Sequence, residues 1–300
     1  MSSDSGGVVW GGVIHISILR ATILAVWIIL VLTTPLSVYS QFDYRLFEGF
    51  GVGRIILSSE WSKRAITTDW VLDSIRLAAM LMCVLALLVR QAGRLTTVAS
   101  LIIVVVMDSI VKALGGFANH AQVVPITVLA IVAVIPSSGY YTLPELLSAN
   151  RSDCRRVLRQ TSAGTLAVWM AAVSVVLPYS FIGLERLCTG GLALFQDGTL
   201  IRYLAAATRS FDTYPQWFSV NSTAPLLNAG FVCITILETS SIALLLFPRF
   251  RLVWLIGMAV FHISTLFLMN LFFWENLAIA GALFWPGWRE PTEPPAARKE

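Results

Sequence analysis

From Ser17 to Tyr39 the chain carries one charged side chain, Arg20, in an otherwise mostly apolar run. That length suits the roughly 20 residues a helix needs to cross a hydrocarbon core about 30 Å thick. The pattern recurs at 70–89, 97–115, 120–136, 163–184, 226–247 and 252–272. A shorter run at 275–286 is ended by Pro286. In lipid, each backbone N–H and C=O must find its partner within the segment or its neighbours, so such runs predict helices. The expected fold is all-α, a polytopic transmembrane helix bundle of seven or eight spans, with Pro125 kinking the fourth.

Composition agrees with that solvent. Hydrophobic residues make up 57% and charged residues 13%, about half the charged share of an ordinary globular chain. The net charge of +4 comes from basic residues scattered through loops, without a tract interleaved with aromatics. Nucleic acid is therefore excluded as a partner, and the lipid bilayer is the expected one. Residues 1–16 read as a cytoplasmic segment with no basic region ahead of an apolar core, so the first span is expected to be retained. The transmembrane domain covers 17–288, with longer extracytoplasmic loops expected at about 40–69 and 185–225. The Pro-, Ala- and charge-rich tail at 289–300 is expected to be disordered.

Orientation follows from arginine. With the N-terminus in the cytoplasm, Arg20, Arg90, Arg94, Arg151, Arg155, Arg156, Arg159, Arg249 and Arg251 fall on the inner side, as the positive-inside rule requires. The expectation is a multi-pass protein of the cell membrane. Of the cysteines, Cys83 and Cys233 sit in apolar runs and read as core, and Cys154 and Cys188 lie outside them. No Cys-x-x-Cys or His-rich pair offers a metal site. Two matches to the glycosylation pattern, at Asn150 and Asn221, decide nothing.

An ionisable group in a spanning helix is costly and by default faces the bundle interior or a water-filled cavity. Asp73 and Arg76 are spaced i, i+3 on the second span, and Asp108 and Lys112 i, i+4 on the third, so each pair shares a face. His120 opens the fourth span, Arg186 follows the end of the fifth, and Glu275 starts the last. The chosen topology brings all of these to the outer half of the membrane, with His262 and Glu238 below them. Two readings stand side by side. Each pair neutralises itself and staples helices, with Arg186 snorkelling and His262 bonding between helices. Or together they line one polar cavity open to the outside.

Several short motifs carry a family resemblance. Phe261-His262, then Leu266-Phe267, closing in Ala282-Leu283-Phe284-Trp285-Pro286-Gly287-Trp288, resembles the end of the HTTM domain. That domain is the transmembrane region related to vitamin K-dependent γ-glutamyl carboxylase. Leu237-Glu238 with Leu244 to Arg249 resembles the family's glutamate-bearing helix and its basic exit. Asn119-His120 resembles its Asn-His motif, and Tyr179 to Leu187 its A-G-x-x-K-L segment. The resemblance implies that His120 and His262 match the family's histidines and that Arg186 stands where the carboxylase has its lysine base. Arginine keeps its proton in proteins, so the lysine-base carboxylation mechanism does not transfer. The resemblance extends to a bacterial membrane factor that matures a secreted sporulation-delaying toxin peptide, which implies work on a small secreted product.

Three functions are compatible with these residues. The first is a membrane-embedded enzyme or maturation factor acting at the outer face on a lipid-soluble, quinone-like substrate or a secreted peptide. There His120 and His262 would be acid/base groups, and Arg186, Asn119, Arg76 and Lys112 substrate-binding, with Asp73, Asp108 and Glu238 in support. The second is an ion-coupled transporter, opposed by the lack of a repeat. The third is a non-catalytic partner or immunity protein binding neighbouring membrane subunits. The small-residue pair Ala79 and Cys83, at i, i+4, hints at that third reading. No residue pattern points to a cofactor.

Overall fold

A computed structural model describes residues 13–49, 52–90, 93–113, 120–135, 140–148, 162–188, 224–269 and 272–285. Among them regular structure is wholly helical. The chain divides into two compact units, Met1–Ala171 and Ala172–Arg289.

In the first unit, α1 (Val13–Thr33), α4 (Asp69–Leu88), α5 (Gly93–Lys112) and α6 (His120–Ala133) form the bundle. α4 packs on α1 and α5, α5 on α6, and α6 back on α1. The α4–α5 seam is built from small side chains. Ala79, Cys83 and Ala86 are buried on α4, and Gly93, Thr96, Thr97 and Ser100 on α5. Small residues let helix backbones approach closely, the usual basis of packing in lipid. The α5 hydroxyls cost nothing there because each turns back onto its own helix. Thr97 Oγ1 donates to the Gly93 carbonyl at 2.5 Å and Ser100 Oγ to the Thr96 carbonyl at 2.7 Å. The Ala79–Cys83 pair is thus consumed inside this unit, with both residues 0% exposed. It offers no face to a partner.

Between α1 and α4 lie two short helices, α2 (Gly53–Ile56) and α3 (Glu60–Ile66). α3 is opened by a reciprocal capping box between Ser59 and Ser62, which satisfies orphan N-terminal amides. A further short helix, α7 (Leu143–Ser148), packs on α1 and α4. Glu145 on it accepts from the backbone and side chain of Thr142 at 2.8 and 2.9 Å and pairs with Arg90 at 3.0 Å.

The second unit begins within α8 (Ser162–Cys188). It continues through α9 (Ala224–Thr239), a 3-10 turn at Ser240–Ile242, α10 (Ala243–Leu246), α11 (Arg251–Met269) and α12 (Trp274–Phe284). α11 packs on α9 and α12.

Six helical stretches among the described residues are long and apolar enough to cross a membrane: α1, α4, α5, α8, Asn228–Leu246, and Pro248–Phe267. Each coincides with an expected span. The fourth and eighth do not reach that standard. α6 has 14 residues and α12 has 11, which at 1.5 Å per residue span about 21 and 16 Å. The described residues thus show six helical stretches of crossing length where seven or eight spans are expected, and these are the apolar helices of an integral membrane protein. The first span also ends early. Pro35 stands two residues beyond Thr33, and Leu36–Gln41 continues as a 3-10 helix, as the missing N–H of proline favours.

Candidate functional site

The second unit gathers the most chemistry. On α8, Tyr179 and Arg186 are seven residues apart, two turns of one face. The helix runs to Cys188, so Arg186 lies in its last turn rather than beyond it, where a cation suits the carbonyl end of the dipole. α8 and α9 touch closely. The Ser180 hydroxyl accepts from the Ile242 amide at 3.0 Å. A Cβ on Gly183 would come within 2.9 Å of Thr239 Cα and 2.5 Å of its nitrogen. Only glycine permits that approach, and it carries Arg186 onto Glu238.

Arg186 Nη1 donates to Glu238 Oε2 at 2.5 Å, and the guanidinium lies 5.2 Å from the Phe231 ring centroid. Glu238 is 2% exposed. The arginine expected to clamp a substrate is thus occupied by a carboxylate of its own chain. A buried charge must be paired to persist, and each member supplies what the other needs.

His262 lies on the inner face of α11, in line with Trp254 and Met258 at four-residue steps. The three are 1%, 3% and 1% exposed. Tyr179 Oη and His262 Nε2 share a hydrogen bond of 3.0 Å. The imidazole stands edge-on to Phe273, with ring centroids 5.7 Å apart, and is tilted against Phe261 at 5.0 Å. Trp254 sets the other side of Tyr179, its ring centroid 5.8 Å away. Its own Nε1 is fixed by Ser241 Oγ at 2.9 Å. From the first turn of α12 the Asn276 side chain reaches the same Tyr179 hydroxyl, and Glu238 and Glu275 are near enough for their charges to act on it. Glu275 is 4% exposed and sits where the amide end of α12 favours a carboxylate.

The chemistry follows from which proton is where. If Tyr179 donates to Nε2, the imidazole holds its proton on Nδ1 and presents an N–H donor. If Nε2–H donates to the phenol oxygen, Nδ1 is bare and presents a base. The two are tautomers of a neutral imidazole: passing from the first to the second takes the proton off Nδ1 and places one on Nε2, while the phenol keeps its own proton and turns it away from the ring. Nδ1 is buried with no protein partner, as is Asn276 Oδ1. Such atoms are rare in a folded interior, and each asks for an explanation.

The remaining expected residues behave differently. Asp108 and Lys112 form an ion pair of 2.8 Å on α5. Arg76 turns from Asp73, which is exposed, to the carbonyls of Val31 at 3.0 Å and Leu32 at 2.7 Å, closing the C-terminal end of α1. These four lie in the first unit. His120 begins α6, its side chain lying outside the described residues, as do Asn119, Cys154 and both glycosylation patterns. Among the described residues, no three His, Cys, Asp or Glu side chains gather as a metal site would require.

Tyr179, Trp254 and Asn276 were not foreseen as site residues, although the seven-residue step from Tyr179 to Arg186 was a usable signal. Arg20 was read only as a topological charge. It is 1% exposed, donates to the Ala86 carbonyl, to Thr97 Oγ1 at 3.2 Å and to the Gly93 carbonyl at 3.5 Å, and stacks on Tyr140 with 4.1 Å to the centroid. Comparison of the chain with family models, with curated proteins and with solved structures finds no match.

Proposed function

We propose that the protein is a membrane-embedded enzyme or maturation factor of HTTM type whose acid/base centre is Tyr179–His262. It would act at the outer face on a lipid-soluble, quinone-like molecule or a secreted peptide. The single observation that supports this most is the buried Tyr179–His262 hydrogen bond with Nδ1 left unpartnered. A purely structural histidine would be expected to satisfy both nitrogens. In this reading the Arg186–Glu238 pair supplies fixed charge beside the centre, and carboxylation through a lysine base plays no part. The HTTM assignment rests on the motifs around Glu238, His262 and Trp285 alone.

The test is complementation of a deletion strain by Tyr179→Phe, His262→Ala and His262→Gln, each checked for wild-type expression and melting. Well-folded proteins that fail to complement are the expected outcome. Full complementation by all three would sink the site. Substrate-dependent proton flux in proteoliposomes would instead move the same carboxylate and histidine into an ion-coupled transporter.

A further inference from the structure

The connection between α1 and α4 makes only short helices, yet together with the first turn of α4 it turns a set of large apolar side chains outward. Leu46, Val52, Ile55, Trp61 and Trp70 are 58%, 58%, 77%, 79% and 70% exposed. This is not a segment that failed to fold. Leu36 and Phe47 are 0% exposed, Leu57 3% and Ile66 6%, so it has an inside as well as an outside. The Glu48 amide donates to the Ala113 carbonyl at 2.8 Å, tying the segment to the end of α5. The Tyr44 hydroxyl accepts from Arg64 at 2.9 Å and Arg45 at 3.4 Å, with the Arg64 guanidinium 4.7 Å from the ring centroid.

Water is the wrong solvent for that outer face, because a folded surface rarely shows so much apolar area without a partner. The partner is indicated by position. The segment joins the ends of two helices of crossing length, so it lies at a bilayer surface, and Trp70 occupies the first turn of α4. Tryptophan with one apolar and one polar edge concentrates at that level. Over residues 44–70 the chain carries four basic residues, Arg45, Arg54, Lys63 and Arg64, against three acidic, Glu48, Glu60 and Asp69. That balance suits lipid phosphates.

We propose that residues 44–70 form an interfacial cap lying in the phospholipid headgroup layer. Ile55, Trp61 and Trp70 enter the acyl boundary and the basic side chains meet the phosphates. The cap does not depend on the acid/base centre.

Nitroxide labels at Ile55→Cys and Trp61→Cys, in protein whose native cysteines are replaced, would be read in phosphatidylcholine–phosphatidylglycerol vesicles. Collisions with oxygen should exceed collisions with a water-soluble nickel chelate at both sites. Nickel-dominated collisions would overturn the cap, and spin–spin broadening between labels would assign the face to a second copy. Should the cysteine variants not fold, Trp61→Phe in the natural background serves. The fluorescence quenched by lipids brominated near the headgroup should fall relative to the unmodified protein, and no change would count against the cap.

Discussion

Arg186 and Glu238, 52 residues apart in sequence, are joined at 2.5 Å across the α8–α9 contact. The carboxylate is almost fully buried and the arginine side chain 27% exposed. Removing one member of such a pair leaves an uncompensated charge, whereas replacing both with apolar groups can be nearly neutral.

Arg186→Ala should therefore cost about 3–5 kcal/mol, while Arg186→Met combined with Glu238→Leu costs less than Arg186→Ala alone. Thermal unfolding in nanodiscs reads both. A double variant as damaged as the sum of its parts would mean that the two side chains act separately.

Gly183→Ala tests the close approach that makes the ion pair possible. The added methyl meets the Thr239 hydroxyl and also its backbone nitrogen, at 2.5 Å, and because the backbone cannot turn aside as a side chain can, the helices must part. Overpacking of this kind costs about 1–3 kcal/mol. Melting temperature should fall, and an unchanged melting curve would mean that the contact is looser than described.

Arg20→Lys keeps the charge and removes the fork. The guanidinium serves acceptors on α4 and α5 while stacked on Tyr140, which a compact ammonium cannot do together. A loss of about 1–3 kcal/mol is expected, the scale of buried polar groups left unpaired. Chemical denaturation would show it, and wild-type stability of the variant would refute the multiple-acceptor role.

The α7 anchor predicts a pH dependence. Burial pushes the Glu145 carboxyl upward, but the Thr142 amide, the Thr142 hydroxyl and Arg90 outweigh it, and the group titrates below its usual 4.5. A depressed folded-state pKa gives stability that is complete above the unfolded value and lost as pH falls through the folded one. Unfolding scans should lose stability below about pH 4.5, and Glu145→Gln should flatten that slope. An equal slope in the variant would place the acid sensitivity elsewhere.

The helices were legible because lipid imposes one requirement, a long apolar run, and Ser17–Tyr39 or 252–272 states it openly. Length within lipid was harder. α6 contains Pro125 and α12 is short, and among the described residues neither reaches the length that crossing requires. The Asp108–Lys112 pair could be seen from spacing, since i, i+4 residues touch on any helix. The Arg186–Glu238 pair could not, because it depends on how α8 and α9 are set against each other, and Gly183 controls that. Asp73–Arg76 misled for the same reason. The spacing allowed a pair, but two carbonyls of a neighbouring helix proved the better acceptors.

The burial of Arg20 bears on how the protein is made. α1 leaves the ribosome before α4 and α5, carrying a guanidinium whose insertion into lipid is costly. The acceptors that relieve that cost, Ala86 and Thr97, lie 66 and 77 residues downstream. Until they are synthesised, α1 is an incomplete membrane segment. Its lasting residence in the bilayer belongs to a later moment of biogenesis, when α4 and α5 arrive beside it.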